Sequence, residues 1–261
     1  MKRLWVVALF CIVSFLPVGS FAEDSIYEPI PAMKYPSDNK WSRDKEELGK
    51  MLYFDPRLSG SNWISCATCH NPGLGWSDGL PRTIGNGQKE LGRHAPTIIN
   101  SGYFELQMWD GRKKSLEDQA SGPIGADVEM NQDYDELIRE LKTLPGYVSR
   151  FDTVFGKNSL TIDNIAKAIA TFERSVVSKN APYDKYWTGD KGAMSAPYMH
   201  NGVKTTLEEV IDFYDRGGDV KENLSPFITP LGLSKQEKKD LVEFLKSLDG
   251  EPILVSFPIL P

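Results

Sequence analysis

Apolar residues recur with a helical period in six stretches of this chain, and nowhere is there the sustained alternation that makes a strand. From Lys45 to Phe54, Leu48, Met51 and Leu52 share one face. Lys114 to Ala120 predicts a short helix, and Tyr134 to Leu144 carries Leu137, Ile138 and Leu141 at helical spacing. Thr161 to Val177 lines Ile162, Ile165, Ala166, Ile169 and Phe172 along one stripe. Thr206 with Glu209 and Ser234 with Glu237 read as capping boxes that open helices over 206–214 and 234–248. In the last helix Leu241, Phe244, Leu245 and Leu248 are the expected buried face, and Gly250 the stop. The chain is therefore mostly α, with no internal repeat.

The periodicity fails in two places. Residues 23–40, with Pro29, Pro31 and Pro36, read as an extended arm. Asp55 to Pro96 is rich in Gly, Pro, Asn and Ser. An irregular stretch of this length inside a compact chain needs a centre to organise it.

The first 22 residues differ from the rest. Lys2 and Arg3 precede an apolar run from Leu4 to Val18, which ends before Ser20-Phe21-Ala22. This is the pattern of a cleaved signal peptide, and it predicts export to the periplasm. The other reading is an uncleaved anchor, although the run is short for a bilayer span. No later segment is long and apolar enough to cross a membrane. The whole sequence is 40% apolar and 25% charged over 261 residues, enough for one or two domains with real cores. Its net charge of −6 argues against a nucleic-acid partner, whose phosphates call for a basic surface, and suits a basic protein partner.

Once the leader with Cys11 is removed, two cysteines remain, in Cys66-Ala67-Thr68-Cys69-His70. C-x-x-C-H is the attachment pattern of c-type haem. Two thiols two residues apart add to the two vinyl groups on one edge of the ring, and His70 then lies beneath it as the proximal iron ligand. A thiol–disulfide pair would have no use for the histidine. A zinc site would need a further ligand, with only His94 and His200 to supply it. A haem is also the flat apolar body on which residues 55–96 can pack. Candidates for the sixth iron position are His94, Met108 and Met130, each of which also reads as an ordinary structural residue.

From this motif onward the sequence resembles the bacterial dihaem cytochrome c peroxidases and the related methylamine-utilisation dihaem enzyme. The resemblance rests on an ordered set: Leu48 to Asp55, Cys66 to His70, Gly92-Arg93-His94-Ala95-Pro96-Thr97, Trp109-Asp110-Gly111-Arg112, Asp118 to Pro123, Glu129-Met130, Ala196 to Gly202 and Phe213 to Gly218. It implies a cytochrome c-like haem domain over residues 23–180, followed by a second cytochrome c-like domain over 181–261. It also implies reduction of hydrogen peroxide with electrons from a small redox protein, a cytochrome c or a cupredoxin. By position Glu129 matches the acid/base carboxylate above the peroxide-reacting haem, Gln119 a distal-pocket amide, and Trp109 the tryptophan between the haems. Asn86 stands where the switching peroxidases carry a distal histidine. Tyr214 stands at the axial ligand of the second haem. Ser195 and Pro197 match positions whose carbonyls bind calcium between the domains. The third calcium ligand of the family, an asparagine, is His94 here, and imidazole is a poor ligand for that hard cation.

The pattern breaks once. The family has a second C-x-x-C-H, and this chain has none: Trp187 to Met194 runs straight into Ser195-Ala196-Pro197. The second domain is expected to be truncated, with Tyr214 left without a covalent haem. The expected cofactor is one haem c, with calcium as a second candidate. The expected activity is that of a cytochrome c peroxidase-type oxidoreductase. The alternatives are a monohaem electron carrier and a haem-binding member that has lost activity.

Overall fold

The computed structural model describes residues 30–178, 199, 203–220, 224–248, 253 and 255–261. Helix α1 spans Arg43–Phe54. Its cap is Ser42, which accepts the Lys45 backbone N–H at 3.3 Å, and Asp44 and Glu46 place negative charge where the exposed N–H groups of the first turn are positive. The buried side carries Leu48, Met51, Leu52 and Tyr53. Helix α2 is the single turn Cys66–Cys69. Then come α3 (Leu116–Gly125), α4 (Tyr134–Lys142), α5 (Pro145–Phe155) and α6 (Ile162–Glu173). Helices α1 and α6 cross closely, α3 packs against α6, and α5 bridges α1 and α4. Among the described residues there is no strand longer than an isolated bridge.

Leu48, Leu52, Tyr53, Ile124, Phe151 and Ile165 are fully buried in one apolar cluster. The C-terminal segment returns to it. Ile253, Val255 and Leu260 pack on the cluster, Phe257 lies edge-on to Phe54 at 5.3 Å, and the Pro261 carbonyl accepts Arg57 Nη2 at 3.1 Å. A second, small cluster joins α7 (Leu207–Asp215) to α8 (Lys235–Lys246) through Leu207, Ile211 and Val242. Both capping boxes read from the sequence are formed, at Thr206/Glu209 and Ser234/Glu237. The face of α8 is only partly the expected one, since Leu241 and Leu245 do pack on the cluster. Val242 is its buried residue, Leu241 and Leu245 are only partly covered, and Phe244 is 42% exposed. Among the described residues the α7–α8 pair covers a narrower stripe than a full core would.

The sequence pattern missed α5. Its run Pro145-Gly146-Tyr147-Val148 begins with residues poor in helix propensity, yet Pro145 sits at the first turn, where a missing N–H costs nothing. Tyr147 and Phe151, four residues apart, are both fully buried. Tyr147 donates its hydroxyl at 2.6 Å to Asp55, which is itself fully buried and also held by Arg57 Nη2 at 2.6 Å. This contact ties the end of α1 to α5.

A second buried ion pair ties α3 to α6. Arg174 Nη1 and Nη2 donate to the two carboxylate oxygens of Glu117 at 2.5 and 3.0 Å, and Asn39 Nδ2 adds a third bond at 2.7 Å. Burial would push the Glu117 carboxyl up, but the Arg174 and Asn39 hydrogen bonds outweigh it and hold Glu117 below the usual range. Arg174→Ala would leave that carboxylate buried without a countercharge. We expect a loss of about 3–5 kcal/mol, read as a lower midpoint in urea denaturation. A double Arg174→Leu, Glu117→Leu variant should lose much less.

Candidate haem site

The C-x-x-C-H turn lies beside α1 at the edge of the main cluster. Cys66 and Ala67 pack against buried residues. Thr68 Oγ1 accepts the Ser65 N–H at 2.9 Å and so fixes the start of α2. Tyr53, fully buried on α1, donates its hydroxyl to the His70 carbonyl at 3.1 Å and fixes the end. Behind Tyr53 stand Trp76 and Phe172, with ring centroids 5.9 and 5.1 Å away.

The chain after His70 explains how the irregular stretch is held. Asn71 N–H donates to the Ser77 carbonyl at 2.9 Å and Trp76 N–H to the Asn71 carbonyl at 2.8 Å, closing a tight loop. Trp76 adopts a φ of +61°, a conformation that costs a bulky residue on the order of 1 kcal/mol or more. The burial of its ring offsets that cost. From this loop Ser77 Oγ donates to the Ala95 carbonyl at 2.8 Å, and Thr97 Oγ1 to the Gly75 carbonyl at 2.7 Å. These two bonds bring residues 95–97 against the haem motif.

Their effect is to place the Pro96 carbonyl 2.9 Å from His70 Nδ1. A carbonyl can only accept, so the proton is on Nδ1 and Nε2 keeps its lone pair. That is the tautomer and orientation a proximal metal ligand needs. Burial holds His70 below the usual imidazole range, and the Pro96 bond, the Asp78 charge and the Trp76 backbone only partly oppose it. The ring is thus neutral, as metal binding requires. Burial likewise raises both thiols, Cys69 to about 11 with help from Asp78 and Glu129, and Cys66 further. The residues present fit a haem c: two protonated thiols one helical turn apart and an imidazole fixed with Nε2 available.

Glu129 lies in the turn that follows α3. Met130 N–H bonds back to the Pro123 carbonyl and Asn131 N–H to the Ala126 carbonyl. From outside, Asn86 N–H donates to the Glu129 carbonyl at 2.9 Å and the Val128 carbonyl at 3.1 Å. Asn86 thus clamps the backbone that carries the acid. Its neighbour Gly85 is needed for the approach, because a Cβ there would fall 2.1 Å from the Val128 carbonyl oxygen. The Glu129 side chain is half-buried, and burial raises its carboxyl above the usual range, with Arg112 partly opposing. It is close enough to Cys66 and Cys69 to disfavour both thiolates.

The other residues picked from the sequence are distributed around this centre. Gln119 on α3 points its amide at the Met108 sulfur, 3.9 Å away. Trp109 follows Met108 and is 69% exposed. His94 Nδ1 lies 3.3 Å from the Leu80 carbonyl. Met130 is 4% exposed among Ile124 and its neighbours and acts as a core filler. Tyr214, on α7, is 42% exposed. Ser195, Pro197 and His200 lie outside the described residues, as does the expected leader. Among the described residues no helix is long and apolar enough to cross a membrane. Sequence reasoning missed Tyr53 and the Pro96 carbonyl. The signal for both was faint: each lies in a stretch quoted for the resemblance, but neither residue type announces a hydrogen bond to a histidine.

Comparison with known proteins decides the family. The sequence profile of the di-haem cytochrome c peroxidases matches residues 43–192, more than half of the chain. The chain belongs to the di-haem cytochrome c peroxidase family. It is a haem-dependent oxidoreductase of the cytochrome c peroxidase type on an all-α, cytochrome c-like fold. The methylamine utilization protein MauG of Methylorubrum extorquens is 34% identical, over 88% of this chain and 85% of its own. The cytochrome c551 peroxidase of Nitrosomonas europaea is 39% identical, over 74% of this chain and 58% of its own. Among solved structures, a MauG-like protein associated with microbial copper homeostasis superposes with a TM-score of 0.76 at 26% identity, covering 85% of this chain and 94% of that one.

Proposed function

We propose that this family member is exported to the periplasm and reduces hydrogen peroxide to water at one haem c, attached at Cys66 and Cys69 and bound through His70, with electrons from a small cytochrome c or cupredoxin. The observation that carries the reading is the His70 Nδ1 bond to the Pro96 carbonyl, with the Glu129 carboxyl held nearby by the Asn86 clamp. The haem, when bound, supplies the redox-active iron at which the O–O bond is cleaved. The chain's own residues do the rest. Glu129 takes a proton from the inner peroxide oxygen and returns it to the outer one, so that water can leave. The Gln119 amide orients the bound peroxide. Trp109, exposed beside Met108, passes electrons inward.

One C-x-x-C-H in a family of dihaem proteins favours a second reading, a monohaem electron carrier. A single experiment separates the two. The protein is made with its haem-maturation machinery, and the ferric form is mixed with peroxide in a stopped-flow spectrometer. Peroxidase function requires high-spin bands and a spectral change first order in peroxide, followed by oxidation of added reduced cytochrome c. A low-spin spectrum indifferent to peroxide would establish the carrier. Cys66→Ala with Cys69→Ala should yield protein that loses its haem on acid–acetone extraction, whereas the unmodified chain keeps it and gains the mass of one haem. A colourless product at apoprotein mass from the unmodified chain would end both readings.

A further inference from the structure

Glu173 ends α6 and has no place in the chemistry described so far. It is 6% exposed, and its Oε2 is buried without a hydrogen-bond partner among the described residues. Such an orphan is rare and costly for a carboxylate. Three features of its surroundings make the charged form worse still. Glu173 is the last residue of its helix, where unpaired carbonyls already concentrate negative charge. Tyr53, whose ring packs with those of Trp76 and Phe172, is close enough to feel its charge. And the adjacent cation, Arg174, is committed in both its terminal nitrogens to Glu117. Burial, opposed in part by Arg174 and reinforced by Glu117, pushes Glu173 up to about 8.

Glu173 lies close enough to the C-x-x-C-H turn to act on it electrostatically. Its charge acts on Cys66 more strongly than any other group does, and it also acts on Tyr53, whose hydroxyl holds the His70 carbonyl. The other ionisable groups around it do not compete. Tyr53 is fully buried and held well above the usual phenol range. Glu117 is kept ionised by Arg174. Cys66 loses its ionisable proton when the thioether forms.

We propose that Glu173 couples a proton to the redox state of the haem: it is protonated while the iron is reduced and gives up its proton when the iron is oxidised. The inference rests on haem attachment at Cys66 and Cys69. The step balances simply. The iron yields one electron to an external one-electron oxidant, the Glu173 O–H bond breaks, and the proton leaves to solvent; reduction reverses each move. The carboxylate so formed offsets the added positive charge at the iron within a poorly solvated site. Glu173 touches neither substrate nor reacting atoms, so it acts as an electrostatic positioning residue for the iron's charge.

The test is the midpoint potential of the ferric/ferrous couple, measured on the haem-loaded full chain by mediated spectroelectrochemistry between pH 6 and pH 10. The unmodified protein should show a potential that falls as pH rises, at a slope approaching about 59 mV per tenfold drop in proton concentration. Glu173→Gln, which keeps the shape and cannot ionise, should flatten that slope, and Glu173→Leu should do the same if the glutamine variant does not fold. A pH-independent potential in the unmodified protein overturns the proposal, and so does an unchanged slope in the Glu173 variants. A haem-loaded protein with a flat potential removes this inference alone, whereas a protein without haem removes the attachment it rests on as well.

Discussion

Replacing Glu129 by Gln slows the reaction of the ferric holo-protein with hydrogen peroxide by about 100-fold or more. The substitution keeps the size and the position of the side chain, because the turn that carries it is fixed by backbone bonds from Pro123, Ala126 and Asn86 rather than by the carboxyl itself. What is lost is a group that can take a proton from one peroxide oxygen and give it to the other. The pH dependence gives a second reading of the same role. Burial raises Glu129 above the usual carboxylate range. The carboxylate is the form that accepts the first proton. The rate should therefore be low where Glu129 is protonated and should rise with pH through its raised pKa, later than an exposed glutamate would allow. The Gln variant should lack this rise. Haem content, measured by the pyridine haemochrome absorbance, should be unchanged. A Gln variant that reacts at the parent rate would remove Glu129 from the proton transfer.

Gly49→Ala should destabilise the chain by a net of about 2 kcal/mol, although alanine is the better helix former. The gain in helix propensity is about 1 kcal/mol. Against it stands the crossing of α1 over α6. A Cβ on residue 49 would lie 1.9 Å from the Ala168 carbonyl oxygen and 3.0 Å from the Phe172 Cβ. Both neighbours are main-chain or near-main-chain atoms of a helix that is buried along most of its length, so neither can swing away. The helices must separate, and overpacking of this kind costs about 1–3 kcal/mol, occasionally more. The consequence reaches the haem site, since α1 carries Tyr53 and α6 carries Phe172 and Glu173. A lower midpoint in urea at unchanged m-value is the expected observation. A variant as stable as the parent would mean that the crossing is looser than the structure shows.

The parts of this protein that were legible in its sequence share a physical basis: they are local. Helices α1, α3, α4 and α6 were visible because a helix that buries one face writes its period into the chain, and the capping boxes of α7 and α8 were visible because a cap is satisfied within four residues. Helix α3 runs five residues past the expected end at Ala120, with Pro123 inside it. Helix α5 was missed because its stability comes from burying Tyr147 and Phe151 against other elements and not from its own residues. The candidate haem-attachment motif was legible for the same reason as the caps, since both thiols and the histidine fall within five consecutive residues.

Sequence alone thus determined the helical class, the haem motif and, through resemblance, the family. It could not say how the 25 residues between His70 and Pro96 bring a carbonyl to an imidazole nitrogen, because that depends on Ser77 and Thr97 reaching across to partners about 20 residues away. Nor could it show that Met130 fills a core while Met108 meets an amide, or that Asn86 clamps the backbone of Glu129. The orphaned carboxyl of Glu173 was invisible for a like reason. Burial and the absence of a partner are properties of the space around a residue, and that space is enclosed only when α1, α2, α3 and α6 have come together.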